Sequence, residues 1–270
     1  RSNTQFDESI QLLRVDFEVV RTLTREPNTA DITIYNLSDD SRSSLQTRDF
    51  LTSDADSSVT LSAGYINNML QLFSGGLQYV THSRAGPDRI TRLECQDGKT
   101  PLSASRINQT YAGPITLSDV LRNVIRCSGL GFGNTEQALT EQLRPGAGDF
   151  TFQTGWSFSG KCSDALEELF TTLGLRWSVQ SGKILALTNN TTQQARQVTI
   201  NETSGMIGSP EIGENGFVTV TTLLQGKIEP GVSMIIESEE INGQYRANKV
   251  THAGSTWGGG WYTTVEAKPS

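Results

Sequence analysis

EPNTADITIYNLS, residues 26–38, decides how the rest of the chain is read. Ala30, Ile32 and Ile34 alternate with Asp31, Thr33 and Tyr35, the period-two pattern of a strand with one buried face. The pattern breaks at Asn36-Leu37-Ser38, and Asp39-Asp40 follow. Ser38 is suited to cap a short helix reaching Leu45, with the two aspartates beside the positive end of its dipole. The strand is therefore expected to feed a helix that crosses toward another edge of a small barrel.

Outward from this stretch, the first hundred residues read mostly as strands. Leu13, Val15, Phe17 and Val19 alternate with charged residues, and SVTLSAGY (58–65) puts Val59, Leu61, Ala63 and Tyr65 on one face. Strands are expected at 69–82 and 89–96, interrupted by Gly75-Gly76 and by the turn Ala85-Gly86-Pro87-Asp88. From about residue 101 the texture changes. Val120, Leu121, Val124 and Ile125 form a helical face, Thr116 and Asp119 have capping-box spacing, and Gly129 can end the helix. Leu166, Leu169, Phe170 and Leu173 form a second such face, with Ser163 as the expected cap and Gly174 just past the last apolar residue. LRWSVQ and KILALT flank Ser181-Gly182 as a hairpin, and NNTTQQARQ (189–197) reads as polar loop. From Pro210 onward strands return, in VTVTTLL, VSMIIES, QYRANKVTH and WYTTVEA. Val80-Thr81-His82 and Val250-Thr251-His252 each precede a glycine-containing turn and a further strand, so one strand-turn-strand plan occurs twice, 170 residues apart.

Composition excludes several classes. Among 270 residues, 22 are Lys or Arg and 29 Asp or Glu, a net charge of -7 that gains little from the counterion release driving binding to nucleic-acid phosphates. The stretch RSNTQFDESI has no apolar run of signal-peptide length, so export by a cleaved signal is not expected, and no apolar run reaches the roughly 20 residues of a membrane span. Cys95, Cys127 and Cys162 include no C-x-x-C pair, so reduced and mostly buried thiols are expected rather than a disulfide framework or zinc knuckle. With no secretory route expected, the sequons at Asn36, Asn108, Asn189, Asn190 and Asn201 read as chance products of a Ser/Thr/Asn-rich composition.

The search for chemistry returns structural readings throughout. His82 and His252 are the only histidines and have no Cys, Asp or Glu at metal-ligand spacing. GWSFSG (155–160) fails the G-x-S-x-G spacing of a nucleophile elbow, and GLGFGN (129–134) follows a helix rather than a strand, so it is no phosphate cradle. Glu167-Glu168 point about 100° apart on a helix and read as a solvated face rather than paired catalytic carboxylates. DADSS (54–58) begins like a calcium loop but has Val59 where Gly is needed and Tyr65 where the bidentate Glu belongs. Of Trp156, Trp177, Trp257 and Trp261, Trp177 is expected in the core, while Trp257 and Trp261 flank a glycine turn suited to contact with a protein partner or a sugar. No catalytic, cofactor-binding or metal-ligating residue is assigned, and no cofactor is expected.

Three sets of segments carry a family resemblance. PNTADITIYNLS (27–38), LSAGY (61–65) and LFSGGL (72–77) resemble the opening barrel of the central baseplate hub proteins of contractile-tailed bacteriophages. FVTVTTLLQGKIEPGVSMIIES (217–238) and GQYRANKVTHAGSTWGGGWYTTVEA (243–267) are similar to their second barrel, and FSGKCSDALEELFTTLGLRWSVQSGKILALT (158–188) to the domain between. The resemblance implies a mainly β chain with an α+β insert: a tube-type barrel at 1–100, an intervening domain at 101–205, and a second tube-type barrel at 206–270. It implies a homotrimer in which six barrels surround a channel, adapting a threefold spike to a sixfold tail tube in the baseplate of a virion assembled in the host cytoplasm. The implied partners are the spike protein, tail tube or tube-initiator proteins, the tape-measure protein and other baseplate components, with DNA passing through unbound. The alternatives are a tail-associated cell-wall hydrolase and a carbohydrate-binding adhesin.

Overall fold

In the computed structural model, which describes residues 12–46, 58–97, 105–142, 149–188 and 193–269, the opening stretch is the second of six elements in the first part of the chain. These are β1 (Val15–Thr22), β2 (Thr29–Tyr35), α1 (Asp39–Gln46), β3 (Ser58–Tyr65), β4 (Asn68–Ala85) and β5 (Asp88–Gln96). Ala30, Ile32 and Ile34 point into a core with Phe17, Val19, Leu72, Phe73, Leu93 and Cys95. The strand stops because Asn36 takes a left-handed φ of +59°. Its backbone N–H donates to the Arg89 carbonyl at 2.7 Å, and its side-chain oxygen accepts from the Arg89 N–H at 3.0 Å, clamping it to the β4–β5 turn. Ser38 Oγ then accepts the Ser41 N–H at 3.1 Å, capping α1.

Gly75-Gly76 do not interrupt β4. The strand runs unbroken across them while its hydrogen-bonded neighbour changes from β3 to β5. A Cβ on Gly75 would lie 2.7 Å from the Gln96 carbonyl oxygen and 2.6 Å from the Phe73 ring, so the glycine permits a close crossing rather than a turn. The DADSS segment, apart from Ser58, and the N-terminal decapeptide lie outside the described residues.

The middle of the chain forms β6 (Arg106–Tyr111), β7 (Ile115–Thr116), α2 (Leu117–Ser128), α3 (Thr135–Gln142), β8 (Thr151–Phe152), β9 (Trp156–Lys161), α4 (Cys162–Thr172), β10 (Arg176–Gln180) and β11 (Lys183–Leu187). Thr116 caps α2 by accepting the Asp119 N–H, and Gly129 ends it at φ +78°. The expected Ser163 cap of α4 is corrected. β9 runs straight into the helix, Lys161 holds the cap position without a side-chain bond, and Ser163 lies inside the first turn. Gly174, at φ +66°, follows the helix as expected. Val120, Leu121, Val124 and Ile125 pack against Leu166, Leu169, Phe170 and Trp177 in a core separate from that of the first part.

The last part comprises β12 (Gln193–Ile200), β13 (Met206–Ile212), β14 (Val218–Leu223), β15 (Val232–Glu237), β16 (Asn242–Ser255) and β17 (Trp261–Pro269). Residues 193–197, read above as loop, belong to β12, which pairs parallel to β15. A polar strand is tolerated there because β12 is an edge with one hydrogen-bonded neighbour. Asn189–Thr192 lie outside the described residues. A third core collects Ile200, Val220, Met234, Val250 and Val265. The chain is mainly β, and strands from its two ends share one eleven-stranded sheet, because β1 pairs antiparallel with β16. No described helix is long and apolar enough to cross a membrane.

Candidate functional site: two strand copies and their edges

The echo around the two histidines extends to five strands. Hydrogen-bonded neighbours run β1-β2-β5-β4-β3 in the first part and β13-β14-β17-β16-β15 in the last, every pair antiparallel. Along the β4–β5 and β16–β17 ladders the correspondence holds residue by residue. His82 lies opposite Thr91 and His252 opposite Thr263, and in each pair imidazole Nδ1 is hydrogen-bonded to the threonine hydroxyl, at 3.1 and 2.9 Å. Four residues before each histidine the ladder skips one residue, Gln78 in β4 and Asn248 in β16. A bulge is a costly local device, so one at the same place relative to the same cross-strand pair marks the two units as copies of one plan.

β1 of the first copy lies along the second half of β16, with Val19 opposite His252. Gly254 sits between Phe17 and Trp261, whose rings meet edge to face at 5.4 Å across it. Trp261 therefore packs against the first core, which corrects its reading as an exposed contact residue beside Trp257. Trp257 itself is 75% exposed. Under the cover of β1, His252 has no exposed surface, and burial, helped by the charge of Arg21, holds its imidazole down to about 3.

The middle part is tied to the first copy by a polar node, which Arg21 extends to Glu229 of the last part. Buried Asn28 donates to the Val179 carbonyl at 2.8 Å and to Gln180 Oε1 at 3.1 Å, and Asp97 Oδ1 accepts the Gly182 N–H at 2.7 Å. Arg21 Nε donates to Gln180 Oε1 at 3.2 Å, and its Nη1 lies 3.5 Å from Glu229. Burial raises the Asp97 carboxyl, opposed by the N–H groups of Gly182 and Ser181, by Asn28, and by the charge of Arg21.

The residues searched for chemistry are dispersed. Among the described residues no three His, Cys, Asp or Glu are grouped to hold a metal ion. Ser157 lies in a straight strand, its hydroxyl 3.0 Å from that of Thr110, so GWSFSG makes no sharp elbow. GLGFGN lies against β11, where the Gly131 N–H donates to Gly182 and its carbonyl accepts from Ile184. A Cβ on Gly133 would meet the Ile184 oxygen at 2.0 Å, so these glycines serve packing. Glu167 is not simply solvated. Its Oε2 accepts the indole N–H of buried Trp177 at 2.9 Å. Trp156 is buried between Tyr111 and Phe158, not in a groove for sugars. Cys95 and Cys162 are buried and Cys127 exposed, all three as free thiols. Burial pushes the Cys95 thiol up to about 12.

The surface offers a different kind of site. The tip of the β3–β4 hairpin exposes Tyr65, Ile66 and Met69, with Ile66 94% exposed. The matching tip between β15 and β16 borders a cleft of about 700 Å3 lined by Glu202, Glu237, Glu239 and Glu240. One copy thus presents an apolar tip where the other presents an acidic one.

No protein among the curated sequences matches this chain. Several solved structures share its fold. The 43 kDa tail protein of prophage MuSo2 from Shewanella oneidensis aligns with a TM-score of 0.63 at 9% identity, covering 97% of this chain and 96% of that one. A tail protein of Neisseria meningitidis MC58 aligns with a TM-score of 0.60 at 10% identity, covering 94% and 92%. The E. coli c3393 protein, a type VI secretion component with structural similarity to T4 tail proteins gp27 and gp5, aligns at 0.62 and 11% identity, covering 99% and 76%. In sequence, residues 3–267 match the family described as baseplate hub gp41, and the chain belongs to that family of structural tail proteins.

Proposed function

We propose that three copies of the chain form a ring in which the two strand copies per subunit are tube-type barrels, six in all, joining a threefold spike to a sixfold tail tube. Residues 1–100 and 206–270 are the barrels in this reading and 101–205 the domain between, which lends β12 to the second barrel. The observation that carries it is the duplicated five-strand order with its matched bulge and His–Thr pair. A chain containing two copies of one unit can offer six near-equivalent positions to a sixfold partner while remaining threefold toward another. The unlike hairpin tips, apolar in one copy and acidic in the other, keep the ring distinguishable as a trimer.

The partners in this reading are the spike, tail tube or tube-initiator proteins, the tape-measure protein and other baseplate components of the virion. The chain's part is structural, with no reaction of its own. DNA passes through the ring without specific binding, and the net charge of -7 suits a wall that repels phosphates. The test is particle mass in solution combined with electron-microscopic averages. A trimer with six lobes about an open centre is the expected result, and a monomer at every concentration overturns the reading.

A further inference from the structure

The relation between the two copies leaves two strand edges without a neighbour among the described residues. β1 pairs with the second half of β16, but the corresponding strand β13 has only β14 beside it, and the corresponding half of β4 has only β5. Register fixes the equivalences. Ala30 lies opposite Cys95 as Val218 lies opposite Ala267, and Val19 lies opposite Ala30 as Ile212 lies opposite Val218. Ile212 therefore stands where Val19 stands, and His82 where His252 stands. Val19 is fully buried, whereas Ile212 is 67% exposed. Residues 249–255 of β16 alternate between buried and half-buried under β1, while in β4 residues 79, 81 and 83–85 are exposed. Ile207 and Tyr79 add exposed apolar surface to the two edges.

We propose that the outer edge of β13 in one subunit pairs antiparallel with residues 79–85 of β4 in the next, repeating between subunits the β1–β16 seam found within the chain. Ile212 then faces the partner subunit's His82 as Val19 faces His252, and Glu211 faces the partner subunit's Ser83 as Glu18 faces Ala253. The occupant is a second copy of this chain because the complementary edge is one the chain itself carries, and the register is one the chain already uses. Such a contact is head-to-tail, so it generates a closed ring or a filament. Open strand edges are templates for added strands, and β13 carries the usual guards against indiscriminate pairing. Gly208, at φ +69°, and Pro210 interrupt it between Ile207 and Glu211, where its register with β14 shifts. The pairing is thereby confined to a partner shaped for that interruption. The inference rests on the ring reading above and specifies which surfaces close the ring.

The test is cysteine cross-linking of the full chain. Directly opposed residues on neighbouring strands have Cα atoms about 4.5–5.5 Å apart, within disulfide reach. Glu211→Cys with Ser83→Cys, in a Cys127→Ser background, is expected to give covalent dimers and trimers on a non-reducing gel. Each single variant, and the offset pair Glu214→Cys with Ser83→Cys, is expected to give none. Ile212→Lys is expected to shift the mass from trimer to monomer while far-ultraviolet circular dichroism stays unchanged. A trimeric mass without cross-linking of the matched pair, with equal cross-linking of the offset pair, or with Ile212→Lys still trimeric overturns this pairing and leaves the ring reading standing. A monomeric parent chain overturns both.

Discussion

At the scale of single residues, His252 and His82 occupy one position in two copies and differ in their cover. Both imidazoles are held below their ordinary value by burial, His252 to about 3 with the charge of Arg21 adding, and His82 with that of Arg42 adding. A group whose folded value is lowered contributes stability that is complete above its unfolded value and is lost as pH falls toward the folded one. For His252 that window runs from about 6.5 down to about 3. At pH 5 the loss is about 2 kcal/mol, since one unit of difference is about 1.4 kcal/mol. His252→Gln should therefore lose about 2 kcal/mol less than the parent between pH 7 and pH 5, measured by denaturant melts at both values. Equal losses in the two proteins would show that His252 is not the proton acceptor. Beside it, a Cβ on Gly254 would lie 2.5 Å from the Trp261 ring and 2.7 Å from that of Phe17. Gly254→Ala is accordingly expected to destabilise the chain by about 1–3 kcal/mol, the usual cost of overpacking, read as a lower denaturation midpoint.

Among the elements, α2 was the most legible, because its apolar face, its cap and its stop are all local signals. Thr116 Oγ1 accepts the Asp119 N–H at 3.2 Å and donates to Asp119 Oδ2 at 2.8 Å. Thr116→Ala should cost about 1 kcal/mol by loss of the cap, while Thr116→Ser, which keeps the hydroxyl, should restore most of it in the same melt. Elements lacking such signals escaped the sequence. α3 is TEQALTEQ, whose only apolar residues are the buried Ala138 and Leu139, too few to declare a periodicity. β9 reads WSFSGK, and its alternation is carried by aromatics among serines in a stretch that looks like a glycine-bounded loop. β13 is interrupted by Gly-Ser-Pro, residues that normally announce a turn. Trp261 was misjudged because its burial comes from Phe17, far away in sequence, across a seam that no local pattern reveals.

For the whole molecule, the duplication was visible in the residues only as Val-Thr-His written twice, each time before a glycine-containing turn and a further strand. What the copies share is backbone: a strand order, a bulge and one cross-strand pair, while the side chains around them have diverged to suit a covered edge in one copy and an open one in the other. The polar node was equally hidden, since Arg21, Asn28, Asp97 and Gln180 meet only after both the first part and the middle of the chain have folded. Three cores joined by a buried polar node, a strand seam and scattered further contacts need not unfold together, and the node is one place where their cooperativity is set. Asn28 is its centre: its side-chain oxygen accepts the Thr22 N–H at 3.0 Å while its amide holds the Val179 carbonyl. Asn28→Ala leaves both backbone groups without these partners in a buried site, a cost of about 2–3 kcal/mol. It also removes a direct link between the first sheet and the middle part. Scanning calorimetry should then resolve one parental transition into two, with the calorimetric enthalpy exceeding the van't Hoff value. A single sharp transition with matched enthalpies in the variant would mean that the β1–β16 seam couples the two end parts without the node, and that the middle part follows them through other contacts.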